Sequence, residues 1–265
     1  MTVFADTSPE LLWSVAHELA DAARAETLRH FRSSDLRTES KTDDFDPVTV
    51  ADRSAEAAMR AVLASRRPAD GILGEEEDDK PSSSGLTWVL DPIDGTRGYI
   101  SGTPTWGVLI ALADARGPQL GIIDQPYIGE RFCGGPDRAT MTGPLGERDL
   151  RARVTTALAD ATMFTTFPEI GTPEQRQAFE RVAGKVKLVR YGCDCYAYAL
   201  LAAGQIDLVI EAGLQPYDIQ APIAVIQAAG GVITDWSGAP AHNGGTALAA
   251  ATPELHAAAV SLLNP

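Results

Sequence analysis

Apolar side chains at the start of the chain recur at intervals of three and four residues. The first such segment follows Ser8-Pro9-Glu10 and contains Leu11, Leu12, Val15, Ala16 and Leu19. A capping hydroxyl followed by proline is typical of a helix start, so we predict a first helix from Ser8 to about Phe31. After a short strand around Leu36 to Ser40, an alanine-rich amphipathic segment predicts a second helix from about Val50 to Ser65.

Short apolar runs bounded by glycine, proline or aspartate predict five strands after these helices. They are Gly71–Leu73, Thr87–Leu90, Trp106–Ala111, Gln119–Ile123 and Arg131–Cys133. Several connections between them are too short to hold a crossover helix, so we expect a sheet that is at least partly antiparallel. The first half of the chain is therefore predicted to be α+β.

Predicted helices and strands alternate after about residue 150, which indicates an α/β half. The pairs are Pro173–Ala183 with Lys187–Val189, Cys195–Ala203 with Leu208–Ile210, and Asp218–Ala229 with Gly231–Thr234. The glycine-rich, polar segment Thr142–Glu147 is the best candidate for a boundary. We therefore expect an α+β metal-binding half over 1–145 and an α/β substrate-specificity half over 146–265, joined in one compact unit.

The charge of the chain limits what it can bind. Its 265 residues are 45% hydrophobic and 22% charged, which is typical of a folded protein, and its formal net charge is −14. So acidic a chain lacks the broad positive surface needed for nucleic acid or an anionic membrane, and we expect neither partner. An acidic protein that handles a phosphate group must bring positive charge from elsewhere, and bound cations are the simplest source.

Two further features concern compartment and redox state. The chain has no run of about 18 apolar residues and no signal-peptide pattern at its start, so we expect a cytoplasmic location. Its three cysteines, Cys133, Cys193 and Cys195, are odd in number, and two of them flank a single residue. This spacing is poor for a disulfide framework, and we interpret them as free thiols.

Carboxylates gather around one turn. The segment from Asp91 to Thr96 reads Asp-Pro-Ile-Asp-Gly-Thr and directly follows the apolar run Trp88-Val89-Leu90. Both carboxylates should therefore lie at the carboxyl end of a buried strand, where ligand sites of α/β sheets occur. Gly95 permits close backbone approach, and its amide and that of Thr96 can open a helix toward an anion.

Two more acids could reach the same place. Glu75 follows the short strand 71–73, and Asp218 precedes an apolar helix, where a carboxylate can cap the helix and also face a metal. Mg²⁺ prefers such oxygen ligands from separate segments. Each acid alone has an ordinary interpretation as a turn residue, a solvated loop acid or a helix cap, so the combination carries the hypothesis.

These residues resemble the inositol monophosphatase superfamily, whose metal motif matches Trp88-Val89-Leu90-Asp91-Pro92-Ile93-Asp94-Gly95-Thr96. A second family motif matches 216–221 and the pair Gly230-Gly231, with Tyr217 in place of the usual tryptophan. The resemblance runs from about Lys41 to Gly238. It implies a layered αβαβα sandwich, a homodimer, and about two or three Mg²⁺ ions per site.

The resemblance also implies roles for individual residues. Asp52 would pair with Thr96 to orient the attacking water. Lys41 would either help to neutralise the loop 41–46 or form an ordinary surface pair with its aspartates. Glu75 would serve in catalysis as well as in metal binding, and phosphate would meet Asp94, Gly95 and Thr96. The implied metal ligands are Glu75, Asp91, Asp94, Asp218 and the backbone carbonyl of Ile93.

The segment 189–198 resembles the histidinol-phosphate phosphatase branch of this superfamily. Asp194 stands where inositol-directed relatives carry a small neutral residue, and with Glu211 it would present two anionic groups to the organic end of the substrate. Such a pair suits the ammonium and imidazole of histidinol phosphate. Asp218 is a further candidate for substrate contact, and Arg190 could contact the substrate or a partner subunit, or balance nearby acids. The alternative for Asp194 is that it caps the helix beginning at Cys195.

Other functions remain open to different degrees. Within the superfamily, the alternative is an inositol-1-monophosphatase or a broad sugar-phosphate phosphatase; outside catalysis, it is a regulatory protein of the same fold. The Asp-x-Asp-x-Val signature of haloacid-dehalogenase-like enzymes occurs at 44–48, but no apolar strand precedes it. The chain has no Gly-x-Ser-x-Gly elbow, and its four histidines form no metal-binding spacing.

Overall fold

The computed structural model describes residues 8–34, 36, 38–40 and 47–264. Lys41 and the Asp44-Phe45-Asp46 part of the rejected phosphatase signature lie outside the described residues, so the proposed role of Lys41 stays a prediction. In the described ranges, no helix combines the length and the apolar character needed to cross a bilayer.

Seven α-helices occur in the described chain. Their bounds are α1 (Pro9–His30), α2 (Val50–Arg66), α3 (Thr96–Ile100), α4 (Pro173–Ala183), α5 (Cys195–Ala202), α6 (Pro216–Ala228) and α7 (Pro253–Leu263). The first helix begins where it was predicted, because the Ser8 hydroxyl accepts a hydrogen bond from the amide of Leu11 and proline occupies the first turn. α6 begins two residues earlier than predicted, so Asp218 lies inside its first turn.

The strands of the described chain form two large sheets and one two-stranded ribbon. The ribbon pairs β1 (Thr38–Ser40) with β2 (Pro47–Thr49). The seven-stranded sheet has the order β3 (Gly71–Gly74), β4 (Thr87–Asp94), β5 (Gly107–Asp114), β6 (Gly117–Gln125), β7 (Glu130–Gly135), β8 (Arg138–Gly143) and β9 (Gly146–Asp149). The five-stranded sheet has the order β11 (Leu188–Tyr191), β10 (Thr162–Thr165), β12 (Leu208–Leu214), β14 (Gly245–Ala250) and β13 (Val232–Thr234).

The seven-stranded sheet is antiparallel except where β3 runs parallel to β4, which confirms the predicted mixed sheet. The predicted boundary at residues 145 and 146 lies in the turn between β8 and β9, and both strands belong to this sheet. The chain moves to the second sheet between Asp149 and Thr162. The division into two functional halves stays a prediction.

Alternation along the strands explains the layers. In β4, Trp88 and Leu90 pack against α1 and α2, whereas Val89 packs on the opposite face with α5 and α6. In β12, Val209 faces this middle helical layer, whereas Leu208 packs toward α4 and α7. Each sheet is therefore covered on both faces, and the architecture is the αβαβα sandwich expected from the sequence.

Two glycines bring α6 close to the seven-stranded sheet. A Cβ at Gly121 would lie 2.5 Å from the carbonyl oxygen of Ala221, and one at Gly134 would lie 2.3 Å from Cα of Val225. Neither position can hold a larger residue without moving the helix. This close packing fixes α6, and with it Asp218 in its first turn, against the sheet that contains Asp91 and Asp94.

Candidate functional site

Three carboxylates from two elements meet at the edge of the middle layer. One oxygen from each of Asp91, Asp94 and Asp218 lies within 4.8 Å of the others. The expected turn at Asp91 is instead strand, since β4 continues to Asp94 with a shift in register against β5 between these two residues. Such an irregularity re-aims side chains, and here both aspartates reach the same site.

Backbone amides hold each of the three carboxylates in place. Oδ1 of Asp91 accepts a hydrogen bond from the amide of Ile93 at 3.0 Å. Oδ2 of Asp94 accepts one from the amide of Cys195 at 2.6 Å, which ties the end of β4 to the start of α5. Oδ2 of Asp218 accepts one from the amide of Gln215 at 2.7 Å and closes a capping box on α6.

Burial and mutual repulsion oppose ionisation of this cluster. Burial raises the pKa of Asp91 well above its usual range, and the charges of Glu75, Asp94 and Asp218 raise it further. Burial likewise raises the pKa of Asp94, together with the charges of Asp194 and Asp218. A bound divalent cation would remove this repulsion, and the donor set consists of the hard oxygens that Mg²⁺ prefers. The residues present therefore fit a magnesium site.

Glu75 lies beside this group but outside its most compact part. It follows the last residue of β3, whose parallel pairing with β4 brings the end of β3 beside Leu90, immediately before Asp91. A hydrogen bond links the carboxyl groups of Glu75 and Asp91. The structure therefore brings all four predicted carboxylates together.

Asp52 and Thr96 also meet, at the edge of the same site. Oγ1 of Thr96 lies 3.5 Å from Oδ1 of Asp52 and donates a shorter hydrogen bond of 3.0 Å to the carbonyl of Ile93. The second carboxylate oxygen of Asp52 accepts from the amide of Thr49 at 2.8 Å and from its hydroxyl at 2.5 Å. Burial raises the pKa of Asp52 to about 6 in spite of these bonds. The acid is thus held rigidly, with one oxygen turned toward Thr96.

Two adjoining cavities open at the carboxylates. The first cavity, about 360 Å³, is lined by Glu75, Gly95, Thr96, Arg97, Phe167, Asp194, Gly213, Gln215, Tyr217 and Asp218. The second cavity, about 210 Å³, is lined by Asp94, Thr166, Phe167, Asp194, Cys195, Tyr198, Glu211, Ala212, Gly213, Leu214 and Asp218. A separate cavity of about 410 Å³ near β6, β7 and α6 has no titratable side chain in its lining.

Asp194 lies between the two cavities. Its carboxylate packs on Gly95, where a Cβ would come within 2.8 Å of the Asp194 carboxyl carbon, so the left-handed Gly95 (φ 87°) leaves room for it. Asp194 occupies the N-cap position of α5, as the alternative predicted, but its side chain makes no capping bond there, and Asp94 accepts from the amide of Cys195. Burial raises the pKa of Asp194 to about 6, and the charge of Arg97 opposes that rise.

Glu211 forms the inner wall of the second cavity. It lies on β12 and accepts hydrogen bonds from the amide of Thr166 at 2.7 Å, the hydroxyl of Thr166 at 2.9 Å and the hydroxyl of Thr165 at 3.3 Å. Burial raises its pKa to about 7, and the charge of Asp194 adds to the rise. The sequence-predicted pair of Asp194 and Glu211 therefore shares one cavity.

Arg190 is placed differently from the other candidates. It lies exposed on β11, the edge strand of the five-stranded sheet, and is not among the described residues that line either cavity. Its charge acts on Cys193, where it partly offsets a rise in thiol pKa caused by burial. A substrate contact of Arg190 stays a prediction.

Among the side chains that line the cavities, Arg97, Phe167 and Tyr198 received no individual role from sequence reasoning. The guanidinium of Arg97, which lines the first cavity, lies 5.2 Å from the ring centroid of Phe167, which lines both cavities. Arg97 could have been found, since it directly follows the Asp-Gly-Thr turn. Phe167 and Tyr198 carry no local signal, because one lies in a loop and the other in an apolar helix.

Comparisons with known proteins agree with this geometry. A model of the inositol monophosphatase family matches residues 8–264. The chain is 45% identical over 236 residues to the chloroplastic bifunctional phosphatase IMPL2 of Arabidopsis thaliana, an alignment that covers 88% of this chain and 66% of that protein. It is 35% identical over 231 residues to a histidinol-phosphatase of Chlorobaculum parvum, with 87% of each chain covered. A solved inositol monophosphatase from Zymomonas mobilis matches with a TM-score of 0.84 and 36% identity, covering 100% of both chains.

Proposed function

The chain belongs to the inositol monophosphatase family and is a phosphatase, and on that premise we propose that it hydrolyses histidinol phosphate to histidinol and phosphate with the help of Mg²⁺. The observation that carries the proposal is the acidic lining of the second cavity. Asp194 and Glu211 both face it, and no basic residue is among the described residues of its lining. The histidinol-phosphatase of Chlorobaculum parvum supports the same substrate.

The carboxylates define where the reaction takes place. Asp91, Asp94 and Asp218 would hold Mg²⁺, with Glu75 and the carbonyl of Ile93 as the further ligands implied by the family. When bound there, Mg²⁺ supplies charge stabilisation to the phosphate oxygens and activates water. Asp94, Gly95 and Thr96 would contact the phosphate, because they form the turn between β4 and α3.

Asp52 and Thr96 would move the proton of the attacking water. The Thr96 hydroxyl can pass a proton to Asp52 while it accepts one from water, since 3.5 Å separates the two side-chain oxygens before substrate binds. The water oxygen then bonds to phosphorus, the ester bond to the alcohol breaks, and the departing alkoxide takes up a proton from a second water, whose hydroxide is neutralised by the proton that Asp52 releases. The pKa of Asp52, about 6, lets this acid receive a proton and release it again near neutral pH.

The organic end of the substrate would occupy the second cavity. Asp194 and Glu211 together cost free energy when both are ionised, because each is buried and the charge of Asp194 raises the pKa of Glu211. The ammonium group of histidinol phosphate would relieve that repulsion and form charge-assisted hydrogen bonds. The organic part of inositol phosphate is a neutral polyol, which gains less from the same acidic lining.

A phosphate-release panel with Mg²⁺ tests the proposal on histidinol phosphate, myo-inositol 1-phosphate, a sugar phosphate and a nucleoside monophosphate. We expect the highest kcat/KM on histidinol phosphate. In Asp194→Asn and Asp194→Ala, the preference for histidinol phosphate over inositol phosphate should fall about tenfold, since a charge-assisted bond of about 1.4 kcal/mol is lost. Inositol phosphate acts as the matched control, because both substrates need the same phosphate chemistry.

Three other results would lead to other conclusions. A higher kcat/KM on inositol phosphate would favour the function named for the Zymomonas mobilis structure. Equal rates on all substrates would indicate a broad phosphatase. No phosphate release with Mg²⁺ would favour a regulatory protein of this fold. Homodimerisation and a cytoplasmic location stay predictions, and size measurement in solution tests the first.

A further inference from the structure

The hydroxyl of Tyr198 is buried without a hydrogen-bond partner. Tyr198 lies on α5 with 3% of its surface exposed, and its side chain lines the second cavity. In the described part of the chain, a few buried side-chain polar atoms lack a partner, and among them only the Tyr198 hydroxyl belongs to a residue of this lining. Its position therefore differs from that of an ordinary core tyrosine.

Two other tyrosine hydroxyls of this protein have hydrogen-bond acceptors. The hydroxyl of buried Tyr99 donates to the carbonyl of Thr27 at 2.7 Å, and that of Tyr196, on the same helix as Tyr198, donates to Glu130 at 2.6 Å. An unsatisfied buried hydroxyl costs about 1–3 kcal/mol, so such groups are rare in native folds. A hydroxyl left in this state at the wall of a cavity is available to an atom that enters the cavity.

The other residues that line the second cavity indicate what kind of ligand atom would contact the Tyr198 hydroxyl. Asp94, Asp194, Glu211 and Asp218 offer hydrogen-bond acceptors, and the hydroxyl of Thr166 already donates to Glu211. The phenol of Tyr198 is the strong side-chain donor that remains, since a thiol such as Cys195 donates weakly. A ligand that fits this set carries several donors and one acceptor in its organic part.

We propose that Tyr198 is a substrate-binding, specificity-determining residue whose hydroxyl donates a hydrogen bond to an acceptor atom in the organic part of the phosphate ester. This inference rests on the proposed function for its choice of substrate. A neutral imidazole has one ring N–H and one unprotonated ring nitrogen, so Glu211 can accept from the first while Tyr198 donates to the second. An amine alone, which carries only donors when protonated, would leave the phenol without an acceptor.

The substitution Tyr198→Phe removes only the hydroxyl. We expect KM for histidinol phosphate to rise about tenfold while kcat changes less than twofold, because the lost bond holds substrate and transition state alike. The ratio of kcat/KM for histidinol phosphate to that for ethyl phosphate, whose organic part has no acceptor atom, should fall by the same factor. The melting temperature of the substrate-free protein should not decrease, since no bond within the protein is lost.

Tyr196→Phe is the matched control on the same helix. It removes a hydroxyl that is bonded to Glu130, so it should lower the melting temperature and leave the ratio of kcat/KM for the two substrates unchanged. If Tyr198→Phe instead lowers the melting temperature and leaves that ratio unchanged, the hydroxyl has a structural role and the inference is wrong.

The outcome is separable from that of the proposed function. If the unaltered protein prefers inositol 1-phosphate, the choice of histidinol phosphate fails, and Tyr198→Phe is then measured on inositol 1-phosphate, whose hydroxyls are also acceptors. A rise of KM for that preferred substrate supports the contact of Tyr198 with the organic part. An unchanged KM for the preferred substrate overturns it.

Discussion

Two buried aspartates of the same sheet have opposite surroundings. Asp124 on β6 has 0% of its surface exposed, and its carboxylate contacts Nη2 of Arg24 at 2.7 Å and Nε of Arg131 at 2.6 Å. Asp91 on β4 has 1% exposed, yet it accepts from the Ile93 amide and otherwise faces acids. One carboxylate is neutralised by guanidinium groups of its own chain, and the other is not.

The difference separates Asp124, which serves the fold, from Asp91, which we propose serves the reaction. A paired carboxylate gains its compensation when the chain folds, and an external cation adds nothing to it. In the cluster of Asp91, Asp94 and Asp218, burial and mutual repulsion raise the pKa of Asp91 and Asp94, so a bound cation would favour their ionised forms. Buried carboxylates that repel one another are therefore the feature that marks the candidate active site in this protein.

The largest expected effect follows from Asp91→Asn. Loss of one metal-binding carboxylate should lower kcat/KM with Mg²⁺ by about 10⁴-fold, or ~5 kcal/mol of transition-state stabilisation. In chelator at pH 8 the same variant should unfold at a urea concentration equal to or higher than that of the unaltered protein, since asparagine ends the cost of ionising Asp91. Phosphate release and urea unfolding measure the two effects. If Asp91→Asn stays active and becomes less stable, Asp91 serves the fold as Asp124 does, and the proposed difference between them is wrong.

Asp124→Asn should give the reverse pattern. It leaves Arg24 and Arg131 without their buried partner, so the free energy of unfolding should fall by about 4 kcal/mol, with or without Mg²⁺. The folded fraction should keep its kcat/KM. Asp114→Asn is the control, since Asp114 pairs with exposed Arg116 at 2.7 Å and such surface pairs contribute about 0.5 kcal/mol. Equal losses in the two variants would mean that burial does not decide the cost.

Many of the helices and strands that position these residues were predicted from the sequence. Helix starts were predicted because Ser8-Pro9 and Thr172-Pro173 are local signals that act within one turn. β9 was missed because all four of its residues are exposed and show no alternation. β14 was missed because its sequence, Gly-Thr-Ala-Leu-Ala-Ala, is rich in alanine, which does not favour strands.

The site was predictable where motif spacing fixes geometry. Asp91 and Asp94 lie in one short segment, Glu75 follows a predicted strand, Asp218 precedes a predicted helix, and the resemblance implied that all four are metal ligands. The bond from the Cys195 amide to Asp94 joins residues 101 apart, so no local pattern could indicate it. Tyr198 was missed for a related reason, since an aromatic residue in an apolar helix is typical of a core position and only the packing of α5 turns it toward the cavity.

Glu211 is intermediate between the two aspartates, because only neutral donors compensate it. Thr165 and Thr166 supply those donors, and burial still raises the pKa of Glu211 to about 7. A carboxyl whose pKa is raised on folding stabilises the protein fully below its unfolded pKa of 4.5, and this contribution is lost as the pH rises through about 7.

Glu211→Gln tests how Glu211 compares with the two aspartates. The substitution removes the titrating proton and keeps a side-chain oxygen that can accept hydrogen bonds from Thr166. Relative to the unaltered protein in chelator, its free energy of unfolding should rise by ~3 kcal/mol between pH 4.5 and pH 8, because each unit of pKa shift corresponds to about 1.4 kcal/mol. Urea unfolding at several pH values measures the difference, with exposed Glu174→Gln as the matched control that should show no such gain. A difference that stays constant with pH would show that the threonine donors compensate Glu211 as fully as the arginines compensate Asp124.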